Sequence, residues 1–296
     1  MAVIRIATRG SEQAMTQARA VADELATHGA ETQLVVVETE GDRTQSAGTP
    51  LHTIGGQGVF VKEIQRAVLD GRADLAVHSA KDVPSITEEG LTLGAFTKRR
   101  SPADALVGRS LAELEQGATV ATGSVRRRAQ LSRARPDLTF AELRGNIPSR
   151  LGKIPDGGSV VIAVAALEIL GFTDLIAQVL DPAEFVPAPG QGCVALECRT
   201  SDHRMLDALE RIDHATTRRE VTLERVFLAE LGTGCTLPLG CHVDGDRMFT
   251  FLAAEHGGIV VSETIELVGD IAADAERARD AARTARERVA GPPPSP

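Results

Sequence analysis

Short runs rich in valine and isoleucine recur along the chain, and each precedes a stretch whose apolar residues fall at helical spacing. The runs cover residues 3–7, 34–37, 75–77, 119–121 and 160–164, with a further strand expected at 138–143. Strands alternating with helices predict an α/β protein with mostly parallel sheets. Ligands of such sheets bind beyond the carboxyl ends of the strands, so chemistry is expected in the turns there. Those turns concentrate polar residues: Thr8-Arg9-Gly10-Ser11, Gly41-Asp42-Arg43, His78-Ser79-Ala80-Lys81-Asp82, Thr122-Gly123-Ser124 and Arg144-Gly145-Asn146.

After Asp213 the pattern changes. A helix is expected from about 217 to 231, opened by the capping-box spacing Thr217-Arg-Arg-Glu220 and burying Val221, Val226, Phe227 and Leu231. Residues 232–240 read as a loop, 248–253 and 259–265 as strands, and 270–289 as a helix rich in Ala, Arg and Asp. A charged stretch at 98–104 and a Pro/Gly-rich stretch at 187–191 mark two boundaries, the second returning the chain to the first domain. The expected division is a first domain of residues 1–98 plus about 193–213, a second of 99–192, and a small α+β third domain of 214–290. The final Gly-Pro-Pro-Pro-Ser-Pro leaves 291–296 as a disordered tail.

Composition agrees with a folded chain of this size. The 296 residues are 43% hydrophobic and 25% charged, enough for two or three compact units and too apolar for disorder. A formal charge of −9 repels nucleic acid and anionic membrane, so an anion site must be built from local arginines. No stretch reaches the roughly eighteen apolar residues of a membrane span, and the chain opens on a strand-like run instead of a secretory signal. A cytoplasmic protein without nucleic-acid or membrane partners is expected.

Ser124-Val-Arg-Arg-Arg128 follows a strand and reads as a helix start capped by Ser124. Unpaired N–H groups and the positive end of the helix dipole favour anions there, and arginine adds forked donors. An arginine run is commonly only a solvated helix face. Here Arg9 and Arg144 also follow strands, and Arg150 lies on the next helix, so several arginines are directed to one crevice suited to a ligand with several carboxylates. Lys81 and Asp82 form either a surface ion pair or, on the floor of that crevice, a site where Asp82 acts as acid/base and stabilises positive charge. The cysteines Cys193, Cys198, Cys235 and Cys241 have no C-x-x-C spacing, and no metal site is expected. By default each is a small buried hydrophobe. Cys235 differs, because Gly232-Thr-Gly-Cys235 presents it on a glycine-flanked loop suited to a nucleophilic or covalently modified thiol.

With these features in order, the chain resembles hydroxymethylbilane synthases (porphobilinogen deaminases) along nearly its whole length. The resemblance is carried by Arg5-Ile-Ala-Thr-Arg-Gly-Ser11, Gly58-Val-Phe-Val-Lys-Glu63, Ala73 to Pro84, Ser124-Val-Arg-Arg127, Leu143-Arg-Gly-Asn146, Pro189-Gly-Gln-Gly192 and Gly234-Cys235. It implies two domains similar to type II periplasmic binding proteins with the active cleft between them, and a third domain carrying the cofactor. It further implies a monomeric transferase of tetrapyrrole and haem biosynthesis. A dipyrromethane made from two porphobilinogen units is joined to Cys235 by a thioether, and four more porphobilinogens are added with loss of ammonia before water releases hydroxymethylbilane.

On the same resemblance, Arg9, Arg126, Arg127, Arg144 and Arg150 neutralise the acetate and propionate groups of the growing product. Asp82 stabilises positive charge near the pyrrole nitrogens. Ser79, Lys81, Asp82, Thr122, Ser124, Arg126, Arg127, Arg144 and Gly145 fall at positions that hold the cofactor. The chain departs from the family pattern at Gly123, where a hydroxyl residue is usual, and at Ala166 and Ile169, where glycine and arginine are usual. These departures keep a degenerate paralogue open, and a non-catalytic binding protein for a small anion is the alternative from another class.

Overall fold

A computed structural model describes residues 3–39, 61–232, 237–254 and 258–290. The Gly41-Asp42-Arg43 turn, the beginning of the 58–63 stretch, Cys235 and the 291–296 tail lie outside the described residues. In chain order the elements are β1 (Ile4–Thr8), α1 (Glu12–Thr27), β2 (Thr32–Val36), α2 (Lys62–Leu69), β3 (Leu75–Ser79), β4 (Leu91–Phe96), β5 (Asp104–Gly108) and β6 (Thr119–Ala121). Next come α3 (Val125–Ala134), β7 (Thr139–Ala141), α4 (Ile147–Leu151), β8 (Ser159–Ala163), α5 (Val164–Leu170), β9 (Ile176–Val179), β10 (Val194–Arg199) and α6 (His203–Glu210). The last are α7 (Ala215–Leu231), β11 (Leu239–Asp244), β12 (Arg247–Ala253), β13 (Val260–Glu266) and α8 (Ile271–Ala290).

The chain forms two compact units. One comprises Met1–Arg100 and Gly192–Arg218, the other Ser101–Gln191 and Arg219–Pro296. The first holds a five-stranded sheet of order β2-β1-β3-β10-β4. The second holds a five-stranded sheet of order β7-β6-β8-β5-β9 and a separate antiparallel sheet, β11-β12-β13.

The two larger sheets repeat one plan. In the first, β1 is parallel to β2 and β3, and β10 runs antiparallel to β3 and β4. In the second, β6 is parallel to β7 and β8, and β5 runs antiparallel to β8 and β9. The expectation of mostly parallel sheets is therefore corrected: in each, parallel and antiparallel pairings are equal in number. The fourth place is taken by a strand that follows a unit crossing, at Ser101 for β5 and at Gly192 for β10.

Alternation along β1 sends Ile4 and Ile6 to one face, where Val21 and Leu25 of α1 and Met205 and Leu209 of α6 cover them. Ala7 faces the other side, against Ile64 and Val68 of α2. The second large sheet is likewise covered on both faces, by Ile147 of α4 and Leu167 of α5 on one and by Leu131 of α3 on the other. The small sheet buries Met248 and Leu252 against Phe227 of α7 and Ala282 of α8.

The helix expected from about 217 begins at Ala215. His214 Nδ1 accepts from the Thr217 N–H at 3.2 Å, so His214 takes the cap role assigned from the sequence to Thr217. Thr217 lies inside the first turn, where its Oγ1 accepts from the Arg99 N–H at 3.1 Å. Val221, Phe227 and Leu231 are buried as expected and Val226 partly so. The loop expected over 232–240 gives way to β11 at Leu239.

Candidate functional site

In the first unit, neighbouring parallel strands deliver two turns to one sheet edge. Arg9 follows β1 and is half-buried. Its turn is fixed by Thr8 Oγ1, which donates to the Ala14 carbonyl at 3.2 Å, and by Ser11, whose Oγ caps α1 at the Ala14 N–H. β3 ends at Ser79, and Ala80–Asp82 form a single 3-10 turn. Ser79 Oγ donates to Gln17 Oε1 at 3.2 Å, and the Ala80 N–H donates to the Cys193 carbonyl of the segment leading into β10. Lys81 and Asp82 are half-buried at this edge. Behind the turn, the fully buried Glu197 of β10 accepts from Gln65 Nε2 at 3.0 Å, and His78 Nε2 lies 3.1 Å from its other oxygen.

The second unit repeats the device with β6 and β7. Thr122, buried, follows β6, and its Oγ1 accepts from the Ser124 N–H. Ser124 caps α3 as expected, its Oγ accepting from the Arg127 N–H. Beyond β7, Gly145 has φ of +117°, a region that strains other residues, and an added Cβ would meet Ser149 Oγ at 2.7 Å. Its carbonyl accepts from Arg150 Nε at 2.7 Å, and the Arg144 carbonyl accepts from Lys153 Nζ at 3.0 Å. Thr122, Ser124, Arg144, Gly145 and Arg150 thus cluster around two adjacent strand ends.

Arg126 and Arg127 sit deeper than the sequence suggests. Both are buried, and both bind Asp104, Arg126 at 2.9 Å and Arg127 at 2.7 Å. Arg126 also donates to the Val186 carbonyl at 2.8 Å, and Arg127 to the Val161 carbonyl at 2.9 Å. Gln191 Nε2 donates to the same Asp104 at 2.8 Å. Two guanidiniums thus share one carboxylate. Burial pulls the Arg126 pKa down, Asp104 acts against it, and the like charge of Arg127 adds to it. Arg127 Nε is buried with no hydrogen-bond partner among the described residues. A surplus of buried positive charge beside a helix N-terminus suits a carboxylate-bearing group.

Sequence reasoning missed Asp104 and Gln191 as parts of this cluster. Gln191 was visible only within Pro189-Gly-Gln-Gly192, and Asp104 only as the end of a charged boundary. At Gly123, where the resemblance leads one to expect a hydroxyl residue, an added Cβ would lie 2.9 Å from the Leu143 carbonyl. Ala166 is buried, and Ile169 is half-buried on α5. Cys193, Cys198 and Cys241 are buried, in keeping with hydrophobic roles, and burial, with Asp202 contributing, pushes the Cys198 thiol up to about 11. Among the described residues no cluster of metal ligands occurs.

Residues 4–207 match the profile of the porphobilinogen deaminase dipyromethane cofactor binding domain. The chain belongs to the porphobilinogen deaminase family. A porphobilinogen deaminase of Trichlorobacter lovleyi is 40% identical over 294 residues, covering 97% of this chain and 87% of that one. One of Thermobifida fusca is 45% identical, covering 81% and 76%, and a probable porphobilinogen deaminase of Methanopyrus kandleri is 43% identical, covering 83% and 85%. Among solved structures, the methionine-binding protein MetQ is 13% identical with a TM-score of 0.43, covering 75% of this chain and 93% of that one. At that level of likeness the fold rests on the strand order itself. The donor set of Arg126, Arg127 and the α3 N-terminus fits the family's dipyrromethane, whose two rings each bear carboxylates.

Proposed function

We propose that the chain is a hydroxymethylbilane synthase that condenses four porphobilinogen molecules head to tail on a dipyrromethane primer attached to Cys235, releasing ammonia and then hydroxymethylbilane. Family membership supplies the reaction class. The observation that carries the site is the pair of buried arginines sharing Asp104, a cation surplus matched to the carboxylates of primer and product.

Bound dipyrromethane supplies the nucleophilic pyrrole terminus on which the product is built. The protein's share is positioning and charge. Arg126, Arg127 and Arg144 balance primer carboxylates, and with Arg9 and Arg150 they balance those added during elongation. Ser79, Lys81, Thr122, Ser124 and Gly145 orient the primer through hydroxyl, ammonium and backbone groups. Asp82, on a one-turn helix held by the Ala80 and Val83 hydrogen bonds, accepts pyrrole N–H groups as positive charge develops on the rings.

The proposal includes a monomer in the cytoplasm, acting on a small molecule without nucleic acid or membrane. The charge of −9 supports the first exclusion, and no helix of the described residues is long and apolar enough to cross a membrane. It also treats the small sheet with α7 and α8 as a third domain.

Intact mass of wild type and Cys235→Ser tests the proposal. Wild type heavier than its sequence by one dipyrromethane, with the excess absent from the variant, is the expected result. A wild type that stays unmodified after incubation with porphobilinogen would instead favour the degenerate or binding-only alternative.

A further inference from the structure

Within the second unit, residues 186–191 form a buried strap between the arginine helix α3 and the small sheet. Pro187, Pro189, Gly190 and Gln191 are buried, an unusual setting for a connection, since buried loops must find partners for every backbone group. On one side the Val186 carbonyl accepts from Arg126 and from Gln130 Nε2 at 3.1 Å, and Gln191 reaches Asp104. On the other side the Cys241 N–H donates to the Pro187 carbonyl at 3.0 Å. β11 comes so close that a Cβ on Gly240 would lie 2.6 Å from the Val186 carbonyl.

One carboxylate gathers that second side. Glu224 of α7 is wholly buried. Its Oε2 accepts from the Gly190 N–H at 2.6 Å, its Oε1 accepts from the Val243 N–H at 2.9 Å, and His242 Nδ1 lies 3.3 Å from Oε1. Glu224 therefore joins the strap to α7, which runs into the Cys235 segment, and to β11, which leaves it.

We infer that Glu224 is a positioning residue for primer loading: it fixes α7 and β11, the elements that flank the Cys235 segment in the chain, against the strap that binds the arginine helix. The inference rests on the proposal that Cys235 carries the primer. A carboxylate is required because two backbone N–H groups converge on it, and an amide offers only one acceptor oxygen. Gly190 has φ of +74°, a region that strains other residues, so the strap conformation that presents this N–H depends on glycine.

The test is a time course of intact mass for cofactor-free protein given porphobilinogen, at a temperature well below each variant's melting midpoint, with rates taken per folded molecule. Glu224→Gln is expected to gain the dipyrromethane mass roughly ten- to a hundredfold more slowly than wild type, as for a displaced reacting group. Glu224→Asp, which keeps both acceptors, is expected to recover part of the rate although it is the poorer fit in shape. Once loaded, Glu224→Gln should show a lowered kcat with KM for porphobilinogen close to wild type. Glu230→Gln, on the same helix with its ion-pair partner Arg283, is the control expected to load normally. Loading of Glu224→Gln at the wild-type rate, or Gln outperforming Asp, overturns the inference while the primer proposal stands. A wild type that never gains the mass overturns both. Should Glu224→Gln not fold, Gly190→Ala disturbs the same bond from the strap side, and its loading at the wild-type rate overturns the inference equally.

Discussion

At Asp104 a buried carboxylate meets two guanidinium groups and a glutamine amide, an arrangement in which the anion is the scarce partner. Substituting either arginine removes one of two cations, whereas Asp104→Asn leaves both buried and mutually repelling. Breaking a buried ion pair from one side costs about 3–5 kcal/mol, and the shared geometry puts Asp104→Asn in that range. Urea unfolding measures it directly, and a loss below about 1 kcal/mol, the scale of a single ordinary hydrogen bond, would show that the arginines do not depend on this carboxylate. None of this was legible in the sequence. Ser124-Val-Arg-Arg-Arg advertised an anion site, and α3, its cap and its place after β6 followed from local pattern. The residue that holds the guanidiniums lies about twenty positions upstream on an antiparallel strand, and only the sheet brings it near.

Elements show the same division. The parallel strands β1, β2, β3, β6, β7 and β8 were readable because each precedes a helix-like stretch and carries a compact apolar run. The antiparallel β4, β5 and β9 have no helix directly behind them. β10 conceals its apolar run because Glu197 occupies a fully buried position in its middle. Charge inside a strand misleads a pattern reader when its partners, here Gln65 and His78, come from distant elements. The start of α7 shows a different failure. Thr217 and Glu220 have capping-box spacing, yet His214 supplies the acceptor and Thr217 is recruited by Arg99. Thr217→Val keeps the shape and removes that acceptor at a buried position, so a loss of about 1 kcal/mol is expected, read from the urea midpoint. An unchanged midpoint would mean that the Arg99 bond contributes nothing to the fold.

For the whole molecule, acid stability has the same origin in both units, and chain connectivity distinguishes them. In the first, burial acts to raise the Asp74 pKa, but hydrogen bonds from Arg5, its charge and a bond from Arg199 outweigh it and hold the group below the ordinary carboxylate range. In the second, burial acts likewise on Asp274, outweighed by the Val268 and Gly269 N–H groups and by Arg219. A folded pKa below the unfolded one gives stability that is present above the unfolded value and lost as pH falls. Urea midpoints should therefore drop below about pH 4, and Asp74→Asn or Asp274→Asn should lower stability at neutral pH while flattening that drop. Connectivity predicts more. A fragment ending at Arg100 lacks β10, the strand between β3 and β4, and with it Leu196, Glu197 and the α6 residues Met205 and Leu209 that cover α1's face of the sheet. Such a fragment should show no cooperative thermal transition by far-ultraviolet circular dichroism. The Arg100 N–H donates to the Gly192 carbonyl at 2.9 Å, so the two ends of the excursion into the second unit are adjacent. Joining residues 1–100 to 192–218 through a short glycine linker should restore a cooperative melt. A cooperative melt of 1–100 alone would mean that the sheet closes without β10, and the buried Glu197 network behind the Ser79–Asp82 turn would then be dispensable to the fold that presents it.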